Sequence, residues 1–142
     1  MNAALAIAVC VVFLLLALWH FYMAFNRTIG ASGTVPSVAG KPLFVPSTRA
    51  TVAVGIVLLS FAVLVATTAR LFALGLPRLV LTWLCYGLAL GLLARAIGEF
   101  KYVGFFKRVR GSRFAKLDTL IYSPVCLLLS VGVALVALEN GT

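Results

Sequence analysis

Acid is what this chain has least of. Glu99, Asp118 and Glu139 are its only acidic side chains in 142 residues, and charged side chains of either sign amount to 11%, against roughly 25% in an ordinary soluble domain. A single histidine, His20, and three scattered acids give no cluster with the spacing of a metal site. Cys10, Cys85 and Cys126 stand singly inside apolar stretches. Without C-x-x-C spacing they read as buried, inert thiols rather than a redox couple or a zinc ligand set. No hydroxyl, imidazole and carboxylate fall into a nucleophile–base pattern, and no cofactor motif is present. Neither a metal nor a cofactor is expected.

What the chain has instead is apolar length: 63% of it is hydrophobic and its mean hydropathy is +1.16. Four runs are almost free of charge. The first, Ala3 to Met23, meets no charge before Arg27. It lacks a basic lead-in and is too long for a signal-peptide core, so it reads as an uncleaved helix. The second is Ala50 to Ala69, 20 uncharged residues between Arg49 and Arg70, or about 30 Å of helix and one hydrocarbon core. Ser47 and Thr48, after Pro46, are suited to cap it. Pro77 suits the first turn of the third helix, and the short connection from Leu71 makes the second and third helices an antiparallel hairpin. Only 16 uncharged residues separate Arg78 from Arg95, so the third helix must continue to about Gly98 to span. Arg95 then lies one turn inside the boundary, where it snorkels outward. The fourth run, between Asp118 and Glu139, holds Pro124 near its start, which predicts a kink in its first turns. The expected fold is all-α: one integral-membrane four-helix bundle with helices at about 3–23, 49–69, 77–98 and 118–138.

The bases orient it. Arg27, Lys41, Arg49, Arg95, Lys101, Lys107, Arg108, Arg110, Arg113 and Lys116 cluster at or between the ends of helices one and two or three and four, while Arg70 and Arg78 alone mark the other side. Lys and Arg near helix ends are retained in the cytoplasm. Both termini are therefore expected on the non-cytoplasmic side of the cell (inner) membrane, with cytoplasmic loops at about 25–48 and 99–117. A net charge of +9 would suggest nucleic acid in a soluble protein. Here the bases flank apolar spans, so anionic lipid headgroups are the expected partner and nucleic acid is not. The loop 99–117 interleaves Phe100, Tyr102, Phe105, Phe106 and Phe114 with bases, the composition of an interfacial segment.

The residues with chemistry fall at one depth. His20 and Tyr22 lie near the end of helix one, and Arg49 opens helix two. Arg95 and Glu99 stand four apart at the end of helix three, and Asp118 and Tyr122 repeat that spacing at the start of helix four. These seven are the candidate ligand-binding residues, because ionisable groups in membrane helices face the bundle interior or a cavity and pair with one another. Plainer roles fit the same residues: an aromatic belt for Trp19 and Tyr22, a helix cap for Asp118, an ion pair locking helices three and four for Arg95. Gly87 and Gly91 form a G-x-x-x-G that Gly98 extends, a line for close packing inside the bundle or across a homodimer.

The stretch Arg95 to Cys126 resembles the hallmark region of an uncharacterised bacterial family of four-helix membrane proteins, the domain-of-unknown-function family numbered 3995. The matching positions are Arg95, Gly98, Glu99, Phe100, Gly104, Phe105, Lys107, Phe114, Ala115, Asp118, Tyr122, Pro124 and Cys126, with His20 and Tyr22 matching the family's His-x-Tyr. Met23 and Asn26-Arg27 depart from its pattern. The resemblance implies the fold and brings no activity. Three functions stay open: a binder or carrier of a small amphipathic molecule or lipid at a cytoplasm-facing pocket, which the lack of a nucleophile favours; a membrane enzyme in which Glu99 or Asp118 moves protons with His20; and a structural or regulatory subunit of a larger complex.

Overall fold

The computed structural model describes residues 3–26 and 34–141; Arg27 and the rest of the 27–33 stretch of the first loop lie outside the described residues. Four helices are each long and apolar enough to cross a membrane: α1 (Ala3–Phe25), α2 (Thr48–Thr68), α3 (Arg78–Ile97) and α4 (Arg113–Asn140). They form a bundle in which α1 lies mainly along α2 and α3 mainly along α4.

Small residues make those contacts close, as they must where lipid supplies no hydrophobic drive between helices. The core joins Ala6, Val9, Cys10 and Phe13 of α1 with Ala62 and Val65 of α2, Cys85, Leu88 and Ala89 of α3, and Leu129, Val133, Val136 and Ala137 of α4. A Cβ on Gly55 would come within 2.6 Å of the Phe21 ring, and one on Gly132 within 2.7 Å of Val9. Gly87 and Gly91 do not share this role. Beyond its chain neighbours and its own helix backbone, no atom of the described residues lies within 4 Å of where a Cβ on either would stand. The expectation that they pack helices inside the bundle is therefore corrected: the sequence motif faces open space, and two isolated glycines make the contacts.

Polar bonds between helices are few. Ser130 Oγ donates to the Ala89 carbonyl at 2.7 Å, and Thr68 Oγ1 meets Cys85 Sγ at 3.2 Å. The outward faces carry Leu15, Leu18, Trp83, Leu90, Leu128 and Leu138, an apolar girdle that water would not tolerate and lipid would.

Ends and breaks follow from local chemistry. Ser47 Oγ accepts from Ala50 N–H at 3.1 Å and caps α2; Ser112 Oγ accepts from Ala115 N–H at 3.0 Å and caps α4. That second cap starts α4 at Arg113, ahead of the expected Asp118, and buries Phe114 and Ala115 in its first turn. Pro124 cannot donate to the Leu120 carbonyl. The helix absorbs the fault as a π-turn over Asp118–Tyr122, where Ser123 N–H reaches back to the Asp118 carbonyl. At the opposite end Arg78 Nε donates to the Asn140 carbonyl.

Two loops share one end of the bundle. The first contains a short antiparallel hairpin, β1 (Ser37–Val38) and β2 (Lys41–Pro42), turned by Ala39 and Gly40, both at positive φ. The second, 98–112, folds back under α3: Phe105 N–H donates to the Ala96 carbonyl at 2.9 Å, and Val109 N–H to the Lys101 carbonyl at 2.9 Å.

Candidate functional site

The folded-back loop is organised around one carboxylate. Gly98 ends α3 at φ 86° and ψ −177°, a conformation open essentially to glycine alone. The chain then returns so that Gly104, at φ 92°, lies against it. A Cβ on Gly98 would stand 2.6 Å from Gly104 Cα and run into the Val103 carbonyl. This close crossing aims Gly104 N–H at Asp118 Oδ2, at 2.7 Å. The same oxygen receives Lys107 Nζ at 3.0 Å, and Arg95 Nη2 reaches Oδ1 at 2.9 Å.

Asp118 is 0% and Lys107 1% exposed, whereas Arg95 is 37% exposed. Lys107 has three protons and spends all of them, on Asp118, on the Gly104 carbonyl at 2.9 Å and on Thr119 Oγ1 at 2.6 Å. Thr119 in turn donates to the Ala115 carbonyl. Two cations and one anion leave the group at +1, so Asp118 is held as a carboxylate with both oxygens occupied. Such an arrangement joins α3, the loop and α4 as a lock.

A different feature lies at the α1–α2 side of the same end. A half-open cavity of about 380 Å³ is lined by His20, Met23 and Ala24 of α1, by Val35, Pro42, Phe44, Val45 and Pro46 of the loop, and by Thr48, Thr51 and Val54 of α2, among others. No Lys, Arg, Asp or Glu is among the described residues that line it. His20 Nδ1 is 2.7 Å from the Leu16 carbonyl. A carbonyl only accepts, so Nδ1 carries the proton, and in the neutral ring Nε2 is left as an acceptor. Among the described residues Nε2 has no partner.

A match to the family described as "Protein of unknown function (DUF3995)" covers residues 13–133. The chain belongs to this family. Comparison with curated proteins and with solved structures gave no match. The DUF3995 match spans both the lock and the His20 cavity. Among the positions that carried the resemblance in sequence, Arg95, Gly98, Gly104, Lys107 and Asp118 prove to meet one another in the lock.

The seven candidate residues thus divide in this DUF3995 protein. Arg95 and Asp118 come together, and Tyr122 lies close by with its ring 5.9 Å from Phe114. Glu99 does not share a helix face with Arg95, because Gly98 ends the helix between them; its Oε1 accepts from Tyr102 N–H at 3.2 Å. His20 lines the cavity. Tyr22 is exposed beside Trp19, with ring centroids 5.9 Å apart, and Arg49 is exposed at the start of α2. The lining of the His20 cavity includes none of Arg95, Glu99 and Asp118. Lys107, expected among the lipid-facing bases of the loop, is instead buried on Asp118, and Gly104 and Thr119 join it there. The family resemblance marked Gly98, Gly104 and Lys107 without giving them a role, and no signal pointed to Thr119. All three cysteines are free, and no cluster of metal-binding side chains is present among the described residues.

Proposed function

We propose that this small multi-pass membrane protein binds a neutral amphipathic molecule in the cavity beside His20, with the Asp118 lock serving as scaffold. The observation that carries the reading is an apolar cavity containing one imidazole whose Nε2 is unengaged among the described residues. Its volume falls in the range of small-molecule sites, where apolar walls give affinity and a few polar groups give orientation. The absence of fixed charge from the described lining favours an uncharged headgroup, such as the hydroxyl of a long-chain alcohol, donating to Nε2. The Thr48 and Thr51 hydroxyls provide further polar atoms at the wall. The base asymmetry supports the matching orientation, with this end of the bundle in the cytoplasm and both termini outside.

The test is native mass spectrometry of the full chain released from vesicles containing a long-chain alcohol. A one-to-one adduct is expected, weakened about three- to tenfold by His20→Ala, the worth of one hydrogen bond, and abolished by Val54→Trp, which fills the cavity. Equal adducts on wild type and both variants would sink the proposal.

A further inference from the structure

The lock changes what the second loop presents to its surroundings. With Lys107 withdrawn onto Asp118, the outer face of the loop carries exposed Lys101, Arg108 and Arg110, with Lys116 beyond them on α4. Set among them are Phe100 and Phe106, 56% and 63% exposed, their ring centroids 6.4 Å apart. Phe100 holds φ at 66°, a left-handed conformation that disfavours a residue with a Cβ. The backbone around the pair is pinned: Arg108 N–H donates to the Phe100 carbonyl at 3.2 Å and Val109 N–H to the Lys101 carbonyl. Two phenyl rings and several cations are therefore carried on a braced loop, not on a loose one.

We infer that this loop is a seat for anionic lipid, with Phe100 and Phe106 entering the boundary between headgroups and acyl chains and Lys101, Arg108 and Arg110 meeting lipid phosphates. Rings flanked by Lys and Arg are the pattern of segments lying in the plane of a charged bilayer surface. The loop joins the ends of two membrane-spanning helices, so a bilayer surface is within its reach by construction. An acidic protein partner would have to be brought to it. Glu99 is the single acid in the loop, which leaves its charge strongly complementary to phosphates. This seat is independent of the His20 cavity: its ligand is charged and its residues belong to a different connection.

The experiment uses the full chain with Phe106→Trp supplying its only indole, Trp19 and Trp83 being replaced by Phe; all three positions are exposed. The protein is placed in nanodiscs of phosphatidylcholine containing a minor fraction of brominated phosphatidylglycerol or, separately, brominated phosphatidylcholine. The indole introduced by Phe106→Trp should be quenched by both lipids, with the anionic one enriched about fivefold around it. Lys101→Gln, Arg108→Gln and Arg110→Gln together should remove the preference and leave the quenching. Quenching by aqueous acrylamide in place of brominated lipid would overturn the inference, as would equal quenching by the two lipids with all bases present. Protection from every quencher would also overturn it, by pointing to a protein partner.

Discussion

Replacing Asp118 by Asn tests the lock directly, because the amide keeps the shape of the carboxylate while removing its charge and turning one of its two accepting oxygens into a donor. In the folded protein Lys107 would remain 1% exposed with two neutral acceptors, the Gly104 carbonyl and Thr119, and no counter-charge. Breaking a buried pair in this way costs about 3–5 kcal/mol. Arg95, already 37% exposed, can turn to water, so its half of the network adds about 1 kcal/mol or less. Lys107→Met leaves Asp118 with Arg95 and Gly104 N–H and should cost less, about 2–3 kcal/mol from lost charged hydrogen bonds. The double variant Asp118→Asn/Lys107→Met should cost less than the sum by at least about 1 kcal/mol, since the stranded charge is gone. Cys10 and Cys85, both buried, supply the assay: a fluorogenic maleimide reports their exposure across a denaturant series, in a Cys126→Ala background that removes the half-buried thiol. If Asp118→Asn costs under about 1 kcal/mol, or if the two substitutions are additive within about 0.5 kcal/mol, the buried-lock reasoning is refuted.

The same assay sets further expectations. Gly98→Ala and Gly104→Ala each force a Cβ into backbone at a glycine-only conformation, so each should cost at least as much as strain alone, about 1–3 kcal/mol, and should lower the yield of folded protein. Ser130→Ala removes a single interhelical bond to Ala89 and should cost only about 0.6 kcal/mol, as such bonds do in membranes. Gly55→Val must displace the Phe21 ring and should destabilise by about 1–3 kcal/mol. A Cβ at Gly87 or Gly91 meets no atom of the described residues beyond its own stretch of helix, so Gly87→Val and Gly91→Val should fall within about 0.5 kcal/mol of wild type. A loss of dimer in light-scattering measurements on those last two variants would assign the outward glycines to a seam between copies.

What could be read from the sequence depended on whether the information was local. Uncharged runs of about 20 residues announce spanning helices, because lipid admits little else. The pairing of Arg95 with Asp118 was accessible because each closes a run of that kind. Lys107 was not, since one base among several in a loop looks like a surface base until the loop is folded back, and that fold depends on contact between Gly98 and Gly104. Glu99 was misplaced for the same reason: four residues after Arg95 means one helix face only if the helix continues, and Gly98 ends it. The π-turn at Asp118–Tyr122 replaces a simple kink because Ser123 can reach one residue further back. The His20 cavity depends on residues from the first loop coming to rest against α1 and α2, which no periodicity encodes.

The measurement that bears most directly on the proposed function is photolabelling in vesicles with a long-chain alcohol carrying a diazirine on its chain, followed by mapping of the labelled peptides. Label concentrated on the cavity-lining stretches of α1, the first loop and α2, competed by unlabelled alcohol and reduced by His20→Ala, is the predicted result. Label spread evenly over the lipid-facing residues of all four helices, unaffected by His20→Ala, would contradict it.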